Sequence, residues 1–472
     1  MQRAHTLATA LIITFALLCS ICSYAQTTVY QYNHPQTDTL HKYKAMVMVG
    51  NQLKDEIVFF SRSKSETTVQ VFGSNLSQPK ATFATQALGP KSMKQFAGSS
   101  ITNSNTYHLY FTHLMPRHLY VNSVNLHTQE ASPEQLLYTI PLNQRYLHST
   151  MHNNQLLLLT AQLNTSVLRL TVIEGNQVLN QHVFNLAQYE AQHFRNAVTG
   201  EVSLEQLLRA TGLKPVESGQ IQSITATAGK AAKLYLFDNT LYLTIDQRRQ
   251  HTQVIALDLN NHTSQVTEMP YAELPGKQRR NTRRASYLHN GKVFQMHLNF
   301  KALDLSVYDL ASRELLKRYQ YLFNETDSLA FKNGPLRIRH PNIVAETPAA
   351  RQRGDRTTMH LFEPAPTILV DATPEALLVT VGTLAEVGWG CVEEWVEKYF
   401  ECQLHPTTLA YMPGKTPQQF RAYRNFYNTQ FFNRGPNRLF KYQFIKNNVR
   451  YGAYFTVKEQ QFTIVAFGPV AL

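Results

Sequence analysis

The chain lacks most of the residues and patterns from which familiar catalytic centres are built. It has four cysteines and two tryptophans in 472 residues. No Gly-x-Ser-x-Gly elbow occurs; "QFAGSSITNS" offers Ser99 and Ser100 without the second glycine. No phosphate-binding loop and no dinucleotide fingerprint is present. The cysteine spacing fits no zinc pattern. Histidines do not cluster usefully. His108, His113 and His118 recur at five-residue spacing in a strand region, where alternation sets His113 on the opposite side and Pro116 breaks the register. His289 and His297 have no spaced partner. No metal site and no cofactor is expected. Acidic residues are in deficit, 32 against 45 Lys and Arg, for a formal charge of +13. Beyond the N-terminus no apolar run is long enough to span a bilayer.

The N-terminus, "MQRAHTLATALIITFALLCSICSYAQTT", has the layout of a secretory leader. Arg3 supplies the positive end, Leu7 to Ile21 the apolar stretch, and Ser23-Tyr24-Ala25 the small residues before a cut after Ala25. Residues 1–25 are therefore expected to be removed. The mature chain is expected to be exported, to the periplasm, the cell surface or the medium, with no transmembrane segment. Cleavage also removes Cys19 and Cys22. In an oxidising compartment the remaining pair, Cys391 and Cys402, is expected to form a disulfide.

Internal periodicity decides the fold class. "YLHNGKVFQMHLNFKALDLSVYDLASRELL" reads as apolar strands separated by polar turns, one of them ending at Asp309-Leu310. Comparable endings stand at Asn75-Leu76, Asn125-Leu126, Ile173-Glu174, Asp258-Leu259 and Phe362-Glu363. Their spacings are 50, 48, 85, 51 and 53 residues. Most markers have an apolar partner strand upstream, as in "NNQLLLLTAQL" and "KLYLFDNTLYLTI", where Asp238-Asn239 reads as a hairpin turn. A period near fifty with about four short strands per unit is what a propeller blade requires, because a small twisted sheet buries both faces only by stacking on its neighbours. The chain thus resembles the β-propeller superfamily at the level of architecture. It has neither the Gly-His and Trp-Asp pairs of WD40 repeats nor the double glycine of kelch repeats, so no family residues carry over. The expected fold is all-β: a propeller of about seven four-stranded blades over 26–472. The alternative is two β-sandwich-like domains. A seventh blade is assembled from "ALLVTVGTL" and the C-terminal "RLFKYQFIKNNVRYGAYFTVKEQQFTIVAF", with "TVYQYN" closing the ring.

Two insertions interrupt the pattern, near 187–221 and 388–436. In the first, Ser203 and Gln206 form a capping box, Leu204, Leu207 and Leu208 share a face, and Gly212 ends the helix. In the second, "CVEEWVEKYFEC" reads as a helix stapled by Cys391 and Cys402, and "TPQQFRAYRNFYNT" as a second helix started by Thr416 and Pro417. The aromatic stripe that includes Tyr423 and Tyr427 is either core or a stacking platform for a sugar or peptide.

The strongest charge feature is "KQRRNTRRAS", with Lys277, Arg279, Arg280, Arg283 and Arg284 between the outer strand of one blade and the inner strand of the next. "RIRHPNIVAETPAARQRGDR" adds Arg337, Arg339, Arg351, Arg353 and Arg356. Guanidinium groups suit phosphate and carboxylate because they donate in pairs. These features predict a binding or scaffold module that engages an anionic glycan or an envelope protein through Arg279, Arg280, Arg283, Arg284, Tyr423 and Tyr427. No nucleic-acid partner is expected. The alternative is a propeller glycoside hydrolase or polysaccharide lyase with axial carboxylates drawn from Asp246, Asp258, Asp304 and Asp309.

Overall fold

The computed structural model describes residues 27–469 except for 34–44, 217–223, 276–281, 323–336, 340–346, 349–364, 415–438 and a number of shorter segments. The described chain is built almost wholly of strands in seven sheets of four or five, the blades of a β-propeller. Blade one comprises Ala45–Asn51, Glu56–Arg62, Glu66–Phe72 and Ala81–Gln86, from the inner strand outward. Blade two comprises Lys94–Thr102, Thr106–His113, His118–Asn125 and Gln135–Thr139, and blade three Gln144–His152, Gln155–Gln162, Val167–Glu174 and Gln177–Asn185. Blade four runs from Ala232–Phe237 through Thr240–Ile245 and His251–Asp258 to Ser264–Pro270, and blade five from Arg283–His289 through Lys292–Leu298 and Ala302–Asp309 to Leu315–Leu322.

The first five sequence markers each end at, or just after, the third strand of a blade, as the period predicts. The sixth does not. Phe362 and Glu363 lie outside the described residues, and Ala365–Ala372, which follows them, is the inner strand of blade six. "ALLVTVGTL" belongs to the second strand of that blade, Leu377–Trp389, and not to blade seven. The third strand of blade six is Val392–Leu404, so "CVEEWVEKYFEC" is not a helix. It pairs with Leu377–Trp389 in an unbroken antiparallel register from Leu377↔Leu404 to Trp389↔Val392. Val, Trp, Tyr and Phe suit either element at this spacing, and the long hairpin partner decides for strand.

The expected disulfide is not made by Cys402. Cys402 is a buried free thiol, and burial raises its pKa strongly. Cys391 lies outside the described residues. Tyr423 and Tyr427 lie outside the described residues.

Blade seven closes the ring as "TVYQYN" suggested. Leu439–Lys446, Val449–Thr456 and Gln461–Pro469 come from the C-terminus, and Thr27–Asn33 pairs antiparallel on Gln461–Pro469 as the outer strand. Blade six is also composite, because its outer strand Arg337–Arg339 precedes its inner strand in the chain.

One local device recurs in six blades. The turn from the inner to the second strand contains residues with left-handed backbone: Asp55, Asn103-Ser104, Asn153-Asn154, Asp238, Asn290-Gly291 and Asn447-Asn448. Asn, Asp and Gly tolerate this region best, and such turns match the twist of the strands they join. Blade six instead uses Thr373, whose hydroxyl bonds Ala376 through both its N–H and its C=O.

Between blades the seams are apolar. Phe59, Phe72, Phe455 and Phe462 join blades seven and one; Val58, Val69, Leu109 and Val124 join one and two. Leu157, Leu170, Leu234 and Leu243 join three and four, and Tyr235, Tyr287, Phe294 and Ile368 bind four, five and six together.

Candidate functional site at the junction of blades four and five

The inner-to-second-strand turns lie at one face of the ring. The connections from each outer strand to the next inner strand lie at the other, and the basic segment is one of these, leaving Ser264–Pro270 and entering Arg283–His289.

Asp246, which directly follows Thr240–Ile245, bonds residues on both sides of that connection, Tyr271 and Ser286. Its side chain is 2% exposed and accepts bonds from both blades. Oδ1 accepts from Thr252 Oγ1 at 2.8 Å and Tyr271 OH at 2.8 Å. Oδ2 accepts from the Ser286 N–H at 2.8 Å and the Ser286 hydroxyl at 3.0 Å. Lys233 Nζ, itself 1% exposed, stands 3.5 Å from the same oxygen. Lys233 shares its strand face with Tyr235, the face turned toward blade five. Burial lowers its pKa and the Asp246 charge opposes that shift. The Tyr271 hydroxyl is pushed well above its ordinary pKa, first by burial and then by the Asp246 charge. Gln295 Nε2 extends the network to Thr252 Oγ1 and the Met269 carbonyl, each at 3.0 Å.

The same blade fixes the start of the basic connection. His297 Nδ1 donates to the Ala272 carbonyl at 2.8 Å, Arg318 to the Glu273 carbonyl at 3.0 Å, and Asn299 Nδ2 to the Pro275 carbonyl at 3.1 Å. Because a carbonyl only accepts, Nδ1 carries a proton; burial lowers the His297 pKa to about 4, so the ring is neutral at pH 7. Arg318 Nε also donates to Asp304 at 2.6 Å, and Asp304 accepts from the Ser306 hydroxyl at 2.5 Å.

Arg283 and Arg284 therefore do not sit in a loop. They are the first residues of the inner strand of blade five, opposite Leu298 and His297, and the Arg284 guanidinium lies over the Tyr271 ring at 5.7 Å. Arg279 and Arg280 lie outside the described residues, as do Arg351, Arg353 and Arg356. Arg337 and Arg339 are on the outer strand of blade six, at the rim and not beside the axis.

The first insertion has the predicted helix and an unpredicted destination. Helix α1, Leu204–Thr211, has the full capping box of Ser203 and Gln206 and ends at Gly212, whose φ is +67°. Leu204, Leu207 and Leu208 pack into the seam of blades three and four. Glu205 is buried and accepts from the Asn164 N–H at 3.2 Å and Arg145 at 3.4 Å. The chain then adds a strand, Leu213–Val216, parallel to Ala232–Phe237 on its axial edge. Helix α2, Ile224–Thr227, reaches blade six, where Thr227 Oγ1 is 2.9 Å from Thr367 Oγ1 and the Gly229 N–H donates to the Pro366 carbonyl at 3.3 Å. The insertion thus spans the inner edges of blades four and six instead of standing out as a decorated loop.

The four candidate acids do not converge. Asp246 and Asp304 are each tied to a cation and to hydroxyls. Asp258 and Asp309 cap turns at the opposite face, with Asp258 Oδ1 accepting from the Asn260 and Asn261 N–H groups and Asp309 Oδ1 from Ala311 and Ser312. A hydrolytic pair needs one carboxyl that takes a proton near neutrality and a second free to act beside it; these geometries offer neither. The histidines are structural as well. His108 bonds Thr102 and Ser123, each at 2.8 Å, and His118 lies on the neighbouring strand against Thr139. Among the described residues no group of three or more metal ligands converges. Lys233, Thr252, Ser286 and Gln295 escaped sequence reasoning. Lys233 alone left a trace, as the one charge in the apolar strand "AAKLYLF".

No protein-family model matches the chain, and no curated protein matches it. Among solved structures it is similar to the Dos1 propeller, at 7% identity over 95% of this chain and 96% of that one, with a TM-score of 0.35. It is also similar to prolyl oligopeptidase B from Galerina marginata, at 9% identity and a TM-score of 0.32, covering 87% of this chain and 46% of that one. A third similar structure is the uncharacterized protein lmo1340 from Listeria monocytogenes EGD-e, at 8% identity and a TM-score of 0.31, over 92% and 96% of the two chains. The functional reading below rests on the geometry of this chain.

Proposed function

We propose that the protein is an exported β-propeller binding module whose outer-to-inner connection between blades four and five engages an anionic glycan. The supporting observation is the pinned stem of that connection. Tyr271, Ala272, Glu273 and Pro275 are each held by a side-chain hydrogen bond, three of them from blade five. Lys277, Arg279 and Arg280 follow within the next five residues, and Arg283 and Arg284 open the inner strand. Cationic groups launched from a fixed base lose less entropy on binding than the same groups on a free tether. The acids at the pinned stem, Asp246 and Asp304, already have Lys233 and Arg318. The surplus charge is therefore positive, consistent with the balance of the whole chain.

The test is heparin-column elution of the mature chain and of a Lys277→Gln/Arg279→Gln/Arg280→Gln variant. Elution of the parent at substantially higher salt is expected, because exposed charge pairs are screened as ionic strength rises. Coincident elution would reject the assignment of the site.

A further inference from the structure

Among the described residues the large apolar side chain most open to solvent is Leu142, at 77% exposure. It lies in Ile140-Pro141-Leu142-Asn143, which joins the outer strand of blade two to the inner strand of blade three. Hydrogen bonds hold this turn in a fixed shape. Ile140, 3% exposed, anchors its start and donates its N–H to the Arg117 carbonyl at 2.8 Å. The Gln144 N–H donates to the Pro141 carbonyl at 3.0 Å, and the proline ring fixes φ at its own position. The Asn143 carbonyl accepts from the Leu163 N–H at 2.9 Å. That bond brings in a second leucine: Leu163, at 38% exposure, sits in the turn between the second and third strands of blade three. Here the Thr165 hydroxyl donates to the Gln162 carbonyl at 3.0 Å, and the Asn164 N–H donates to buried Glu205 at 3.2 Å. One exposed leucine is ordinary. Two on adjoining, hydrogen-bonded turns form a fixed apolar tip.

The tip stands at the face from which the basic connection of blades four and five emerges, because outer-to-inner connections and second-to-third-strand turns share that face. Cations flank it. Arg117, whose carbonyl holds Ile140, is exposed, and Arg209 is exposed in the last turn of helix α1. Glu205, the acid that bonds the tip, is buried and already answered by Arg145. We infer that Leu142 and Leu163 dock the propeller on an anionic lipid bilayer, entering the boundary of headgroups and acyl chains while Arg117 and Arg209 meet lipid phosphates. Charge complementarity selects this occupant. Guanidinium groups donate in pairs to phosphate, and their apolar stems lie along apolar surface with the charged head in the polar layer. Interfacial binding grows with the apolar area buried and with attraction to anionic lipid. A convex tip of two side chains suits a deformable surface, whereas a protein partner would have to supply a fitted pocket and about 1,000 Å² of contact around it. The docking is reversible, since two leucines fall far short of a permanent anchor. It does not rest on the glycan reading, which concerns blades four and five.

The test is co-sedimentation of the chain that begins at Gln26 with vesicles of equimolar phosphatidylglycerol and phosphatidylcholine, and with vesicles of phosphatidylcholine alone. Saturable binding to the anionic vesicles is expected, and markedly weaker binding to the neutral ones. Leu142→Ser should weaken binding to the anionic vesicles by about tenfold or more, the worth of burying one leucine, and Leu142→Ser/Leu163→Ser should weaken it further. Leu142→Trp should bind at least as well as the parent, because indole favours the membrane interface. Leu315→Ser, an exposed position beside a turn at the opposite face, should change nothing. Absence of binding to the anionic vesicles, or equal binding by the parent and Leu142→Ser, would overturn the inference. So would a Leu142→Trp variant as weak as Leu142→Ser, which would assign the tip to a fitted pocket on a protein or on a second copy of this chain. Heparin elution of Leu142→Ser should match that of the parent, so failure here is separable from failure of the glycan site. Unchanged melting temperatures exclude misfolding of the variants as the cause of a loss.

Discussion

Replacing Asp246 by Ala strips a carboxylate from five donors at once: Thr252, Tyr271, the Ser286 amide and hydroxyl, and Lys233. None of these can turn to water without opening the seam of blades four and five. An unsatisfied buried donor costs about 1–3 kcal/mol, and breaking a buried ion pair from one side costs about 3–5 kcal/mol because a charge is left uncompensated. These terms overlap, since Lys233 counts in both, and the variant should lose about 4 kcal/mol. Lys233→Met is the contrasting case. It removes a cation that burial already disfavours and leaves Asp246 with four of its five donors, so the loss should be smaller, about 1–2 kcal/mol. Equilibrium unfolding in urea at neutral pH reads both. The Lys233→Met/Asp246→Ala double variant completes the cycle, with an expected coupling of about 1–3 kcal/mol. A loss below about 1 kcal/mol for Asp246→Ala would mean that the network is an incidental packing arrangement. The anchoring argument for the basic connection would then fail with it.

Stability should also fall in acid. Burial holds His148, His289 and His297 at pKa values of about 4. Between about 4 and the ordinary value near 6.5 the unfolded chain binds protons that the native chain refuses, so stability is lost as pH falls through this window. The full extent is on the order of 3 kcal/mol per residue, and melting temperature measured from pH 7 to 4 should fall most steeply between 6 and 4. Gly382→Ala should destabilise by about 1–3 kcal/mol, because its Cβ would meet Tyr399 Cβ at 2.8 Å and the Lys398 carbonyl at 2.9 Å, and strand backbone cannot move aside; denaturant midpoints decide this. Thiol titration of a denatured, unreduced chain that begins at Gln26 should return two thiols, Cys391 and Cys402, and a result of none would restore the disulfide.

The fold was legible because its period lies in the backbone. Polar turns at 50-residue spacing leave the Asn, Asp and Gly signature even where side chains vary. The more reliable mark was the left-handed hairpin turn, not the strand ending: Asn447-Asn448 identifies blade seven, where no marker had been found. Blade six was misread because its outer strand comes first in the chain and its second and third strands are thirteen residues each, long enough for an apolar stripe to mimic a helix. The basic segment was rightly placed between an outer and an inner strand. Its foundation was not visible, since Asp246, Ser286 and Gln295 meet only when two sheets stack, and pairing between non-adjacent residues leaves no local pattern. The axial path of the first insertion was hidden for the same reason: Leu213–Val216 is too short to announce a strand and exists only against Ala232–Phe237.

The closure of blade seven sets an order of events. Thr27–Asn33 is made hundreds of residues before its partner Gln461–Pro469, and the Gln461 amide that bonds Asn33 lies 428 positions downstream. Until the last strands exist, "TTVYQYN" is an unpaired β-former carrying no charge, and the first blade lacks the wall formed by Phe455 and Phe462. A nascent or truncated chain therefore presents two sticky edges rather than one. The damage from a missing C-terminus is felt at the beginning of the polypeptide.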